Sequence, residues 1–461
     1  MDKAQLESSY TSEKERFISE LTEFLAFKSI STDPGYEADC RRCAEWLKNH
    51  LSQIGLKAEL RETIGKPVVY AEREASPGHP TVLIYGHYDV QPVDPLGEWH
   101  SDPFAAEVRA GRMYGRGAQD NKGQLWYVFK ALETLIKAGA LKCGVRVLIE
   151  GEEESSQSIG LTKSLPAWKP GLKSDVLMVC DTGAMRPGVP CITMGLRGIV
   201  YLEFRLGGLR YDFHSGALGG VVKNPATELA RLIATLHNKD GSIAVKGFYD
   251  GVPAPNKQDL ALAEASLPSE AALKEMLGVE PLGGEAGHGI AERRGFRPTI
   301  ELNGLTAGYQ GPGSKTIIPA SATAKITSRL VAGQDPERCL KLILDHLKSN
   351  APAGLTLEIA GQGVGGPAIT LSSASPLIQF ARGILDQIGD APTQFTWEGG
   401  SIPVVTELCA ASGAEPLLVG FGLEEDRIHA PNESFSLDQW RLGYRYAGLL
   451  LSKLSEYKGK A

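Results

Sequence analysis

Three short, largely apolar runs, Thr81-Val-Leu-Ile-Tyr85, Val145-Arg-Val-Leu-Ile149 and Val176-Leu-Met-Val179, punctuate the first 190 residues, with helix-period stripes between and before them. Phe17, Leu21, Phe24 and Leu25 share one helical face, and Leu125, Val128, Phe129, Leu132, Leu135 and Ile136 form a stronger stripe. Strands this short and this apolar are covered on both faces, and the intervening helices supply the cover. The pattern predicts an α/β domain built on a mostly parallel, mixed sheet.

Near Gly195 the texture changes. Leu202, Phe204 and Leu206 alternate with Tyr201, Glu203 and Arg205, the two-residue period of a half-exposed strand. A helix follows (Leu229, Leu232, Ile233, Leu236), then strands at 299–303 and 322–331, a helix (Leu340, Ile343, Leu344, Leu347) and an alternating run at Leu355, Leu357 and Ile359. That order is the split βαβ pattern of a smaller α+β domain. Residues 244–297 show little periodicity and are expected to be loops. Gly, Ser and Pro at 361–376 read as a return linker, after which helix and strand patterns resume. The chain is therefore expected to form one domain from 1–195 and 377–461, interrupted by an inserted domain at 196–376.

Chemistry-bearing residues sit where the predicted strands end: His87 and Asp89 after the first, Glu153 and Glu154 after the second, Asp181 after the third. Ligand sites in parallel sheets open at those ends. Asp120 lies in the glycine-flanked segment Gly115–Gly123 just before the Leu125 helix, and His429 comes late. An imidazole, a central carboxylate, a Glu doublet, a further Asp and a second imidazole suit a pair of divalent cations, with Asp120 placed to bridge. His87 and Asp89 are two apart, so on an extended chain Asp89 accepts the second imidazole N–H. Of the adjacent acids, one ligates and the other takes a proton from water; each motif alone is an ordinary loop or an N-cap.

Net charge −7, from 48 basic and 55 acidic residues, argues against a nucleic-acid platform, and no apolar stretch is long enough for a membrane span. The polar segment Met1–Tyr10 lacks an apolar signal core, so the cytoplasm is the expected location. Seven scattered cysteines read as reduced thiols; Cys40-x-x-Cys43 has no second pair to close a zinc site.

Tyr85-Gly-His-Tyr-Asp-Val-Gln-Pro92, Gly115-Arg-Gly-Ala-Gln-Asp-Asn-Lys-Gly123, Glu150-Gly-Glu-Glu-Glu-Ser155, Val179-Cys-Asp-Thr182 and His429-Ala-Pro-Asn-Glu433 resemble the signature set of the dinuclear zinc peptidases. That family includes carnosinases, cytosolic non-specific dipeptidases, aminoacylases and succinyl-diaminopimelate desuccinylase. The likeness runs from about residue 15 to 455. Asp212-Phe-His-Ser-Gly216, Gly308–Pro319, Ser328-Arg-Leu-Val331 and Glu398-Gly-Gly-Ser-Ile-Pro403 narrow it to the carnosinase and dipeptidase branch.

The resemblance implies roles residue by residue. His87 and Asp181 hold one metal, Glu154 and His429 the other, and Asp120 bridges them. Asp89 orients His87, and Glu153 is the general base. His214, from the inserted domain, reaches the partner subunit's site and stabilises the oxyanion, which makes a homodimer part of the mechanism. Thr316, Arg329 and Ser401 hold the substrate's terminal carboxylate. The implied cofactor is two divalent ions, with Zn²⁺ suited to the ligands and Mn²⁺ or Co²⁺ fitting the same set. The expected activity is dipeptide hydrolysis, with an N-acyl or N-carbamoyl amino-acid deacylase as the alternative and a non-catalytic scaffold behind both. Two positions depart from the branch: Glu152 makes a run of three acids, leaving the base open by one position, and Trp397 stands where Arg is frequent.

Overall fold

In the computed structural model, which describes residues 1–155, 158–400, 402 and 404–457, the apolar runs become adjacent strands. Thr81–His87 lies parallel to Gly144–Glu150 on one side and to Val176–Val179 on the other, and Glu415–Leu418 extends the parallel set. Seven of the nine strands of this sheet run in the order Lys57–Arg61, Val68–Arg73, Gly144–Glu150, Thr81–His87, Val176–Val179, Glu415–Leu418, Cys191–Leu196. The sheet is mixed: parallel in the middle, antiparallel at both flanks. Only residues 62–67 join the first two strands, too short a connection for a parallel crossover, so that flank is antiparallel.

The chain divides into two compact units. One comprises Met1–Met194, Leu371–Thr396 and the chain from Val404 onward; the other comprises Gly195–Thr370 with a short piece starting at Trp397. That piece belongs with the insert for physical reasons. The Arg197 N–H donates to the Gly400 carbonyl at 2.9 Å, and the buried Trp397 ring packs on Phe296 with centroids 5.2 Å apart.

In the first unit the helix Lys122–Lys137 is buried almost throughout, and aromatic contacts tie it to its neighbours: Tyr127 meets Trp440 edge-on, and Phe24 packs on Trp126. Tyr10 and Phe17 of the helix Lys3–Leu25 pack on Tyr444 of the helix Leu437–Lys453. No described helix is long and apolar enough to cross a membrane, and all seven cysteines are free thiols.

In the second unit a four-stranded antiparallel sheet runs in the order Thr299–Ala307, Ser321–Leu330, Gly198–Gly207, Thr356–Val364. Val200, Leu202, Phe204 and Leu206 point to one face, where they meet Leu229 and Leu232 of the helix Pro225–Ala234 and Leu340, Ile343 and Leu347 of the helix Pro336–Asn350. Both helices start on the same device: an Asn224 or Asp335 side chain caps a backbone N–H, and a proline fixes the first turn.

The segment 244–297 departs from the expectation of loops. It carries helices at Lys257–Ser266, Glu270–Leu277 and Ile290–Gly295. They are short and bury Ala263 and Ser266, nothing, and Ala291 respectively, so no apolar stripe marks them. Their signal lies in the caps, Asn256 and Ser269, and in the left-handed Gly278 that ends the second.

Candidate metal centre

Parallel register brings the strand ends together: His87 lies opposite Glu150, and Tyr85 opposite Val179. His87 is fully buried. Its Nδ1 stands 3.0 Å from the Asp89 backbone carbonyl, an acceptor only, so that nitrogen carries the proton. Nε2, the nitrogen left to face a cation, points to the other side, where Asp120 Oδ1 is 3.1 Å away and Asp181 Oδ2 3.7 Å. The carboxylate of Asp89 is a more distant neighbour of the ring, at 3.4 Å. The paired strand ends at His87, and the Asp89 carbonyl rather than its carboxylate comes closest to the imidazole.

Asp120 divides its oxygens. Oδ1 faces His87, and Oδ2 stands 2.9 Å from His429 Nε2. His429 Nε2 is also 3.4 Å from Glu154 Oε2. Two ligand groups result, His87 with Asp120 and Asp181, and Asp120 with Glu154 and His429, joined through Asp120. The Asp-Asn-Lys-Gly turn depends on its last residue: a Cβ on Gly123 would lie 1.7 Å from the Ala118 carbonyl oxygen.

The acidic run is a turn, not an extended segment. The Glu153 and Glu154 N–H groups donate to the Asp89 carboxylate, and Gln91 Nε2 donates to Glu154 Oε2 at 2.6 Å. Glu152 faces another way and accepts the Gly160 N–H at 3.0 Å, at the start of the helix Ile159–Leu172. Its carboxylate is an anion on a helix N-terminus rather than a third member of the centre.

The electrostatics describe a site built for cations. Burial pushes Glu154 up to about 7 and, with the neighbouring acids, raises Glu153 well above the usual carboxylate range; Asp181 is raised by burial too. The imidazoles answer from the other side. Hydrogen bonds to Asp120 and Glu154 push His429 up to about 10, and His87 is raised against its burial by Asp120, Asp181 and Asp89. Carboxylates crowded into one buried place demand positive charge, and the imidazole–carboxylate mixture fits divalent cations.

A third acidic group, Glu20 with His50 and Glu133, has ligand-like spacing. There the ammonium of Lys130 already lies 2.8 Å from Glu133 and 3.0 Å from His50, and it also pairs with Glu20, so the chain supplies its own cation.

In the inserted unit His214 is exposed, its Nε2 3.5 Å from Thr316 Oγ1 and its Nδ1 accepting the Gly216 N–H at 3.0 Å. Arg329 lies half-buried on the strand Ser321–Leu330, and burial lowers its guanidinium's pKa. Ser401 lies outside the described residues.

Two residues escape the sequence reading. Asn121 is buried, donates to Asp181 Oδ1 at 2.8 Å and to the Cys180 carbonyl at 2.7 Å, and accepts the His87 N–H at 3.3 Å. Gly86 makes room for it, since a Cβ there would stand 2.5 Å from Asn121 Oδ1. Arg197, in the inserted unit, is pushed down to about 10 by burial and by the charge of Arg329, and its Nε donates to the Gly399 carbonyl at 3.3 Å. Asn121 sits beside Asp120 in the quoted Gly115–Gly123 segment, whose chemistry-bearing residue the sequence reading took to be Asp120 alone, and an Arg before a glycine carries no motif of its own.

Residues 83–453 match the profile of peptidase family M20/M25/M40. The chain belongs to this family. The peptidase is 28% identical over 448 residues to a Cys-Gly metallodipeptidase of Schizosaccharomyces pombe, covering 94% of each chain. It is also 28% identical over 387 residues to the human Beta-Ala-His dipeptidase, covering 81% of the peptidase and 74% of that protein. Among solved structures, an M20 family metallo-carboxypeptidase of Sulfolobus solfataricus superposes with a TM-score of 0.83 at 31% identity, covering 95% of this peptidase and 99% of that chain.

Proposed function

We propose that the chain is a metal-dependent dipeptidase, cleaving the peptide bond of short peptides that end in a free carboxylate. The observation that carries this reading is the pair of ligand groups sharing Asp120, with the carboxyl of Glu153 among their charges but in neither group. His87, Asp120 and Asp181 would hold one divalent ion, and Asp120, Glu154 and His429 the other; Zn²⁺ is the ion we assign. Ions bound there would polarise a carbonyl oxygen and lower the pKa of a water to near neutrality.

Glu153 would take a proton from the attacking water and return it to the nitrogen of the departing amine. Asp89 positions Glu153 through the backbone. We assign His214 to the partner subunit's site in a homodimer, where it donates to the developing oxyanion; a donor of that kind contributes ~10²–10³ in kcat. Exposure of His214 on the insert supports that role. Arg329, Thr316 and Ser401 take the substrate carboxylate, Arg329 by its planar fork of donors. Free cysteines suit a cytoplasmic location. The named relatives, two dipeptidases and a carboxypeptidase, support this choice of substrate.

The test is hydrolysis by Zn²⁺- or Mn²⁺-loaded protein of plain dipeptides against N-acetyl and N-carbamoyl amino acids. Chelator-sensitive turnover of dipeptides is expected. Turnover confined to the acylated substrates would overturn the dipeptidase reading in favour of a deacylase.

A further inference from the structure

Glu433 lies beside the centre, yet its carboxylate is fully committed elsewhere. It is fully buried. Oε1 accepts the backbone N–H groups of Gln119 (3.0 Å) and Asp120 (3.1 Å), while Oε2 accepts the Gly117 N–H (2.9 Å) and Arg116 Nη1 (2.9 Å). A carboxylate offers about four lone-pair directions, so none remains for a cation. Its backbone carbonyl takes the Gly115 N–H at 3.0 Å as well. Arg116, equally buried, balances the charge and spends Nη2 on the Pro92 carbonyl at 2.9 Å.

The same short loop carries His429 at its other end. Asn432 anchors that loop, accepting the His100 N–H and donating to the Glu98 carbonyl, each at 2.8 Å. One loop therefore supplies a ligand and, through Glu433, grips the backbone that presents Asp120, the residue both ligand groups share.

We propose that Glu433 is a positioning residue of the metal centre: it fixes the backbone from Gly117 to Asp120 and ties it to the His429 loop, so that both cation positions are set together. The inference rests on reading the two ligand groups as a cation pair.

The experiment titrates metal-free wild type and Glu433→Gln with Zn²⁺ against a competing chelator, with circular dichroism to monitor the fold. Wild type is expected to take two ions. In Glu433→Gln both affinities should fall together, by ~10–100-fold, the usual effect of disturbing groups behind the ligands. Glu433→Asp, which keeps charge and acceptors on a shorter stem, should recover part of that loss. Should Glu433→Gln leave Arg116 unbalanced and fail to fold, the double variant Arg116→Met/Glu433→Gln replaces it with the same expectation. A folded variant that binds both ions as tightly as wild type, or loses only one of them, overturns the proposal. Wild type that takes up no ion overturns the cation-pair reading itself, and this inference with it.

Discussion

The Asp89 carboxylate accepts the backbone N–H of Glu154 at 3.0 Å, so the acid turn hangs on a residue that follows a different strand. The Glu153 N–H reaches the same carboxylate at 3.3 Å, and the Ser31 hydroxyl donates to it at 2.6 Å. Asp89→Ala should leave the turn without its acceptor and lower kcat by ~10–100-fold, as loss of a group that orients ligands does. Steady-state kinetics with metal content measured in parallel checks this. Wild-type kcat in Asp89→Ala would mean that the turn is held without it.

Glu153 and Glu154 are adjacent yet have different work, and their variants should separate. Glu153→Ala removes the proton carrier and is expected to cut kcat by ~10²–10⁴ while metal content stays nearly unchanged. Glu154→Ala removes a member of the His429 group and should lower metal content along with turnover. Metal analysis beside turnover decides the matter. The reverse pattern would move the base by one position.

Asn121 bears on one ligand group only. It holds Asp181 and the His87 backbone, and touches neither Glu154 nor His429 through the bonds described above. Asn121→Ala should weaken one ion by ~10–100-fold and spare the other. Zn²⁺ titration of the metal-free variant reads this directly as one weak and one unchanged site. Equal weakening of both would show that Asn121 acts on the whole loop.

The ligand-type residues were legible because side chains that act by their own chemistry keep a recognisable type and position: His87, Glu153, Glu154 and Asp181 follow apolar runs, and such runs end at a sheet edge. Asn121 and Glu433 lie inside two of the quoted motifs, but their bonds to Asp181, to the Cys180 carbonyl and to the backbone of Gly117–Asp120 join segments far apart in sequence, which no single motif shows. The orienting atom on His87 belongs to the Asp89 backbone, which no residue type encodes. The two layers of the insert were legible from Leu202 and Leu229 onward, where one face is buried. The helices at 257–295 were hidden because they lean on almost nothing, leaving only their caps to read. The antiparallel pairing of Lys57–Arg61 with Val68–Arg73 follows from the short connection between them rather than from strand composition.

Protons and cations compete for the same groups, and this fixes how stability should depend on pH. In the metal-free chain His429 is raised from 6.5 to about 10 by its hydrogen bonds to Asp120 and Glu154, and Glu154 from 4.5 to about 7 by burial. Both folded-state values lie above the unfolded ones, so their stabilising contribution is complete below the unfolded value and is lost as pH rises through 7 and then 10. Asp120 runs the other way: burial opposes its ionisation, but His429 and His87 outweigh burial and hold its carboxyl well below the usual range. Its contribution is lost only in acid. Cations bind the deprotonated ligands, so their affinity rises with pH and their uptake releases protons. Ligand at 100 times its Kd adds ~2.7 kcal/mol to stability. The gap in Tm between Zn²⁺-loaded and chelated protein should therefore widen from about pH 6 to about pH 9. Scanning calorimetry across that range measures it. A gap that stays flat or narrows would mean that His429 and Glu154 do not ligate.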